Sequence, residues 1–176
     1  MNLGCGTDLK PGFVNVDLFG KPDVRLDLNA VWPWKDRIVK EVLMLHVLEH
    51  LPDTVHVMKE LYRVCENKAK VLIRVPHPRH DDFLSDPTHV RPINVKLMKL
   101  FSKRMCLQWQ KGGFSDTPLA LIHNVDFEVI DEQMALDDIW LKKVNSGAIT
   151  VEQVREFGHN YNNVYREIEM TLKVCK

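Results

Sequence analysis

Short apolar runs alternate with amphipathic stretches over the first two thirds of the chain. Four runs have the length and composition of strands: Phe13–Asp17, Asp23–Leu28, Glu41–Leu45 and Lys70–Val75. Val55–Val64 instead places its apolar residues at helical spacing, with Asp53 or Thr54 as a candidate N-cap, and Asn94–Arg104 shows the same helical pattern. This alternation predicts a mostly parallel α/β sheet.

The last third of the chain has a different pattern. Phe127–Ala135 and Val164–Val174 have strand-like compositions, and the second alternates apolar and polar residues along its length. Such alternation is typical of an antiparallel strand with one face in solvent. We therefore predict one domain, residues 1–176, whose sheet ends in an antiparallel strand. Residues 137–163, with a helix at Thr150–Gly158, form a cap-like insertion between the last two strands.

Composition narrows the function classes. The 24 basic residues balance the 24 acidic ones, so no excess positive charge favours nucleic acid as a partner. The four cysteines are far apart and form no CxxC pair, which argues against a structural zinc site or a disulfide framework. No apolar run reaches the roughly 18 residues of a membrane span, and no signal peptide opens the chain. We expect a cytoplasmic protein without membrane contact; the sequence indicates no oligomeric state.

The opening stretch, M-N-L-G-C-G-T-D-L-K-P-G-F-V-N-V-D, places two glycines directly after the strand stub Met1–Leu3 and ends in Asp17. In doubly wound sheets, ligands bind beyond the carboxyl ends of the strands, where a glycine turn lets the backbone approach closely. By itself the G-C-G tripeptide is usually no more than a turn. It is followed, in order, by H-V-L-E-H-L, E-L-Y-R-V and a strand ending in V-P. Together these four blocks resemble the class I S-adenosylmethionine-dependent methyltransferases.

The resemblance covers about the first 105 residues. It implies a Rossmann-like, doubly wound, three-layer α/β fold and an enzyme that uses S-adenosyl-L-methionine and releases S-adenosyl-L-homocysteine. The methyl group would go to an oxygen or nitrogen of a small-molecule or glycan-type acceptor. The cofactor-binding residues that the resemblance implies are Gly4, Cys5, Gly6, Asp17, Leu18, Asp27, Leu28 and His46.

Their implied roles follow the parts of the cofactor. The glycine turn lines the methionine part, Asp17 holds the ribose, Leu18 with Asp27 and Leu28 meets the adenine, and His46 lies near the sulfonium. Structural alternatives exist, since Asp27 can cap a turn and Leu28 can be ordinary core. The sequence also departs from the family, because only three residues precede Gly4 and the link from Gly6 to the next strand is too short for a crossover helix.

Two histidine-rich segments are candidates for chemistry. H-V-L-E-H, from His46 to His50, matches the H-x-x-E-H pattern of some zinc peptidases, but Pro52 interrupts the long helix that the pattern needs. We therefore predict no metal there and a structural role for Glu49 and His50. The second segment, residues 76–92, is a long polar loop after a predicted strand, and such loops are often functional. Its predicted substrate-binding residues are His77, Arg79, Asp81, Asp82, His89 and Arg91. A metal bound by the histidines and aspartates of this loop is an open alternative, because spacing alone does not fix a ligand geometry.

An acceptor that must lose a proton needs a general base, for which imidazole is well suited near neutral pH. The candidates are His46 first, then His80 and His89. For His46 the alternative is a purely structural role at the strand end. Two other functions stay open: a cofactor-binding regulatory or scaffold module without turnover, and a nucleic-acid or protein methyltransferase. The nucleic-acid case is disfavoured by the balanced charge and by the absence of an N/D-P-P-Y motif.

Overall fold

The structure is a computed structural model that describes all 176 residues, and its framework is one seven-stranded sheet. The strands are β1 (Asn2–Leu3), β2 (Asn15–Asp17), β3 (Val24–Arg25), β4 (Val39–Leu45), β5 (Cys65–Pro76), β6 (Phe127–Leu136) and β7 (Tyr165–Val174). Their spatial order is β3-β2-β1-β4-β5-β7-β6. The first five strands are parallel, whereas β7 is antiparallel to both of its neighbours. The predicted mostly parallel sheet with an antiparallel last strand is confirmed.

Helices follow the longer strands. They are α1 (Thr54–Val64), α2 (Asp81–Leu84), α3 (Val95–Lys99), α4 (Lys103–Lys111), α5 (Leu119–His123), α6 (Asp138–Asn145) and α7 (Val151–Asn160). The side chain of Asp53 accepts a hydrogen bond from the His56 amide and caps α1. A short 3-10 turn, Leu48–His50, lies between β4 and α1. None of the helices has both the length and the apolar character needed to cross a membrane.

The hydrophobic core lies on the face of the sheet that presents every second residue of the central strands. Met44, Ile73 and Met170 are fully buried and lie side by side across β4, β5 and β7. Met58 and Leu61 of α1 belong to the same buried cluster. Burying such side chains stabilises the fold by about 1.5–3 kcal/mol each. Because only one face of β7 is buried in this way, its apolar residues alternate with polar ones, and this pattern correctly predicted the strand.

The single helix predicted at Asn94–Arg104 is wrong. The structure has two helices instead, because α3 ends at Lys99 and α4 begins at Lys103. Asn94 caps the first, and the Ser102 hydroxyl accepts from the Met105 amide to start the second. A serine N-cap inside an otherwise helical pattern is thus the local cause of the break.

Polar side chains hold the short strands at the opening of the chain. The Asn2 amide donates to Asn15 Oδ1 at 3.0 Å and to the Asp8 carbonyl at 2.8 Å. The Lys10 amide also donates to Asn15 Oδ1, and the Asn15 backbone and side chain both donate to Asp23 Oδ2 at 2.8 and 2.9 Å. The link between β1 and β2 therefore needs no helix, in agreement with its short length. These bonds fix the strand ends from which the glycine turn begins.

Candidate functional site

A cleft of about 330 Å³ opens at the carboxyl ends of β1 to β4. This is the edge at which doubly wound sheets bind ligands, and the volume lies within the usual range for small-molecule sites. Six of the eight predicted cofactor-binding residues line it: Gly4, Asp17, Leu18, Asp27, Leu28 and His46. The other lining residues are Phe19, Leu26, Asn29, Val47, His50 and Leu51. The strand topology therefore brings together residues that are up to 47 positions apart.

The glycine turn after β1 is fixed by two different constraints. Gly4 has φ +65°, and a Cβ there would lie 2.3 Å from Val47 Cγ2, so only glycine fits against the turn after β4. Gly6 has φ +50° and open space around its Cβ position, and its amide donates to Asp17 Oδ2 at 2.7 Å. Cys5 is buried, and burial together with nearby Asp17 raises the pKa of its thiol. Neither Cys5 nor Gly6 lines the cleft.

Asp17 ends β2 at the rim of the cleft. Its Oδ2 accepts from the Gly6 amide and its Oδ1 from the Phe19 amide, the latter at 2.8 Å. An ionised carboxylate can accept about four hydrogen bonds, so Asp17 keeps capacity for the hydroxyl groups of a ligand. Leu18 and Phe19 follow it, and Phe19 is 72% exposed, which places apolar surface directly beside the acid. Phe19 is not among the predicted cofactor-binding residues, although its aromatic ring follows the acid by two positions in the sequence.

Asp27 and Leu28 have structural roles as well as positions in the cleft. Asp27 Oδ1 accepts from the Asn29 backbone and side-chain amides at 2.9 and 3.0 Å. Leu28 is buried, and its carbonyl accepts from the Trp32 indole at 3.1 Å. The turn-cap and core alternatives therefore describe real contacts, and both residues still face the cleft.

His46 ends β4 in an unusual backbone conformation. Its φ of +55° lies in the left-handed region, which is uncommon for a residue other than glycine. Its amide donates to the Arg74 carbonyl, and its ring lies between two acids, with Nδ1 3.6 Å from Glu49 Oε1 and Nε2 3.3 Å from Glu167 Oε1. Glu49 is the main cause of a raised His46 pKa; Glu167 also raises it, and partial burial opposes both. The two carboxylates thus favour the protonated ring.

The first half of the polar loop after β5 is attached to the segment that follows β6. The Arg79 guanidinium donates to the carbonyls of Gly158 and His159 at the end of α7. Asp82 forms an ion pair with Arg166 at 2.7 Å. His77 and Arg79 line a second, larger cavity of about 600 Å³ between α7 and the ends of β6 and β7. This cavity lies away from the carboxyl ends of β1 to β4, so its greater volume does not make it the better candidate for a cofactor.

His80, a predicted base, lies in the same junction and outside the cleft. It is 6% exposed, with Nδ1 accepting from the Asp82 amide at 3.0 Å and Nε2 3.3 Å from Asp137 Oδ2. Asp81 is likewise held through its amide, which donates to Asn163 Oδ1. With both ring nitrogens in contact with partners, His80 connects the loop to the start of α6. We therefore do not retain it as a candidate base.

The second half of the loop packs beside the cleft. The amides of Val90 and Arg91 both donate to the Glu49 carbonyl, and the Arg91 guanidinium donates to the Pro52 carbonyl at 3.0 Å. The His89 ring meets the His50 ring edge to face, with 4.6 Å between their centroids. Of the predicted substrate-binding residues, His89 thus contacts the cleft residue His50, and Arg91 bonds to Glu49 and Pro52, which flank the cleft residues His50 and Leu51.

No family model matches the chain, and no curated protein matches it either. Solved structures do. An S-adenosylmethionine-dependent methyltransferase from Archaeoglobus fulgidus superposes with a TM-score of 0.52 at 19% identity, covering 90% of this chain and 74% of its own. A candidate S-adenosylmethionine-dependent methyltransferase from Listeria monocytogenes gives 0.55 at 10% identity, covering 99% and 90%. This chain has their fold. At such identities the likeness concerns the fold alone.

Proposed function

We propose that this chain is an S-adenosylmethionine-dependent methyltransferase that acts on an oxygen or nitrogen of a small-molecule or glycan-type acceptor. The observation that carries the proposal is the position of Asp17, at the carboxyl end of β2, facing the glycine turn and bordered by exposed apolar residues. The Asp17 carboxylate accepts two backbone hydrogen bonds and keeps capacity for two more, so it can also accept from a pair of ligand hydroxyl groups. The shared fold is consistent with the proposal.

The residues of the cleft fit the parts of this cofactor. Asp17 would accept hydrogen bonds from the ribose hydroxyls, and Leu18 and Phe19 would flank the adenine ring. The glycine turn would line the methionine part, with Gly4 held close against Val47 at the end of the cleft. The cofactor, when bound, supplies an activated methyl group for an in-line displacement.

The chain itself then has two tasks, to position the acceptor and to accept any proton that it loses. We assign the second task to His46, which lines the cleft at the end of β4. A positive sulfonium bound beside the ring would oppose its protonation, so the ring would be neutral before the transfer. Glu49 and Glu167 would then stabilise the positive charge of the ring once it has taken a proton from the acceptor. His89 and Arg91 are proposed to border the acceptor site, since their polar side chains suit a hydroxyl-rich acceptor. The insertion at residues 137–163, bonded to the loop after β5, is proposed to cap this region.

The first test is cofactor binding. Asp17→Ala is expected to weaken S-adenosylmethionine binding by roughly 1.5–3 kcal/mol, the scale of a charged acceptor lost from a partly buried site. Isothermal titration calorimetry measures this directly. Asp8→Ala is the matched control, because the Asp8 carboxylate is 65% exposed and pairs only with Lys10. Unchanged affinity in Asp17→Ala, with the fold intact by circular dichroism, would remove Asp17 from the site.

The second test is turnover. Transfer of labelled methyl groups to a panel of small-molecule and glycan acceptors should identify a substrate, and His46→Gln should then lower turnover by about 10²-fold or more. Glutamine has similar reach and retains hydrogen bonding but cannot act as a base, so cofactor affinity should persist. Full turnover in His46→Gln would make His46 structural. Tight cofactor binding without turnover on any acceptor, including proteins and nucleic acids, would favour the regulatory alternative.

A further inference from the structure

A cluster of possible metal ligands lies where the turn after β4 meets the loop after β5. Glu49 and His50 belong to the 3-10 turn Leu48–His50, and His89 comes from the loop. Each residue offers one ligand atom, and the three atoms lie within 4.8 Å of one another. Because the two segments follow neighbouring parallel strands, the sheet itself brings these side chains together.

Glu49 is the feature that ordinary packing does not explain. Its side chain is 0% exposed, and neither carboxylate oxygen has a hydrogen-bond partner. The nearest ring nitrogen, His46 Nδ1, is 3.6 Å away, which is too long for a hydrogen bond. The buried carboxylate of Glu49 thus has one possible cation beside it, His46, and no hydrogen bond. Such a group is costly, because buried carboxylates normally bond directly to a cation or a donor.

The hydrogen bonds of the two histidines leave the same nitrogen free on each ring. His89 Nδ1 lies 3.0 Å from the Phe83 carbonyl, which can only accept, so Nδ1 carries the proton. His50 Nδ1 lies 2.9 Å from Thr88 Oγ1, and Thr88 uses its own hydroxyl proton to bond Asp86 Oδ1 at 2.6 Å. His50 Nδ1 is therefore also protonated. Neither Nε2 makes a hydrogen bond: that of His89 lies 3.7 Å from Asp86 Oδ2, which is longer than a hydrogen bond. Both Nε2 lone pairs can therefore reach a metal, and bonds from Nδ1 to oxygen partners are typical of histidines that bind metals.

We propose that Glu49, His50 and His89 bind one divalent transition-metal ion of the zinc class. Two imidazoles and a carboxylate are a ligand set that zinc accepts, and three protein ligands leave a coordination position for water or substrate. The H-x-x-E-H spacing pointed to a different set, with His46 and one long helix. Here the third ligand comes from another loop, so Pro52 is no obstacle.

The ion would lie at the edge of the cleft, because His50 is one of the residues that line it. At that position it could polarise an acceptor oxygen as a Lewis acid. Binding of the metal does not depend on methyl transfer, and the site can be tested without any cofactor or acceptor.

The experiment uses the full chain after treatment with a chelator. Calorimetric titration with Zn²⁺ should show one equivalent bound per chain, and Co²⁺ should give a visible absorption band of a low-symmetry site. Glu49→Gln and His89→Ala should each weaken Zn²⁺ binding by at least about 100-fold. His123→Ala is the control, since His123 lies at the end of α5 and outside the cluster, and its affinity should match the wild type.

Glu49→Gln also separates metal loss from misfolding. Glutamine keeps the shape and removes the uncompensated charge, so the metal-free variant should melt at or above the wild-type temperature. Added Zn²⁺ should then raise the melting temperature of the wild type and not that of the variant. The proposal is overturned if the chelator-treated wild type binds no Zn²⁺, or if Glu49→Gln and His89→Ala bind it as tightly as the wild type does.

Discussion

The two ends of the sheet are held together in different ways. At the cleft end, β1, β2 and β3 have two, three and two residues. At the other end, β5, β7 and β6 have twelve, ten and ten, and their long antiparallel pairing is continuous except for local bulges. The cleft end depends on side chains that bond to backbone groups, above all Asn15 and Asp17. The other end depends on backbone pairing and on the packing of one apolar face.

Because of this difference, the two ends of the sheet should tolerate different kinds of amino-acid substitution. Where packing dominates, the volume of a side chain matters and its hydrogen bonds do not. Where polar links dominate, the identity of one atom matters, because a removed partner leaves buried groups unsatisfied. The cleft end can also present backbone amides and carbonyls to a ligand, since few of them are used in strand pairing. Substitutions at the two ends should therefore differ in kind as well as in size.

The largest expected effect is at the packed end. Met170→Ala should lower the free energy of unfolding by about 3 kcal/mol, because it removes a fully buried side chain from the centre of β7. Thr171→Ala changes the next residue, which lies on the other face of the sheet, and should lower the free energy of unfolding by no more than about 1 kcal/mol. Urea denaturation measures both. Equal losses in the two variants would show that packing on one face does not dominate at this end.

A smaller loss is expected from the polar network. Asn15→Ala should cost about 2 kcal/mol, because Asn2, Lys10 and Asp23 lose partners at a buried position. The matched control is Asn67→Ala, whose exposed amide accepts only from the Lys176 backbone. We expect the first variant alone to speed hydrogen exchange in residues 2–17. A stability loss without this local change would mean that Asn15 acts on the whole fold and that the two ends do not differ as described.

The same difference between the two ends explains which strands and helices could be predicted from the sequence. Apolar periodicity correctly predicted β4, α1, β6 and β7, because burial on one face imposes that pattern. It overestimated β2 and β3, where Phe13 and Leu28 lie outside the strands. There the chain is held by turns and side chains rather than by pairing, so strand composition was a poor guide.

The candidate site was predictable only in part, for a similar reason. Asp17 and the glycine turn follow strands directly, so local sequence indicates where they lie. The loop after β5 was treated as one wall of the site, yet Arg79 bonds to the end of α7 while His89 packs on His50. Contacts between segments some 40 to 80 residues apart leave no local pattern. Glu49 could not be singled out either, because its burial is a tertiary feature that leaves no local pattern.

The smallest expected effect is a loss of stability at low pH that is greater at the cleft end of the sheet than at the packed end. Glu60 of α1 holds the connection after β3, since its Oε2 accepts from the Trp32 amide at 2.8 Å and from Arg63 at 2.7 Å. The Arg63 guanidinium, together with these bonds, lowers the pKa of Glu60. A carboxyl group whose pKa is lowered by folding stabilises the protein above its usual pKa near 4.5, and that stabilisation is lost as pH falls through the lowered value.

Glu60→Gln should therefore cost about 1 kcal/mol at pH 7, and the difference from the wild type should shrink towards zero as the pH falls through the lowered pKa of Glu60. The exposed Glu156→Gln on α7 is the control and should show no such pH dependence. Urea denaturation across this pH range gives the free energies, and hydrogen exchange at Trp32 reports on the connection itself. The packed end has one ion pair between β5 and β7, Arg74–Glu169, but it is partly exposed and should contribute little. Exchange in β7 should therefore change less than exchange at Trp32. If both regions lost protection together as the pH fell, charge would not distinguish the cleft end from the packed one.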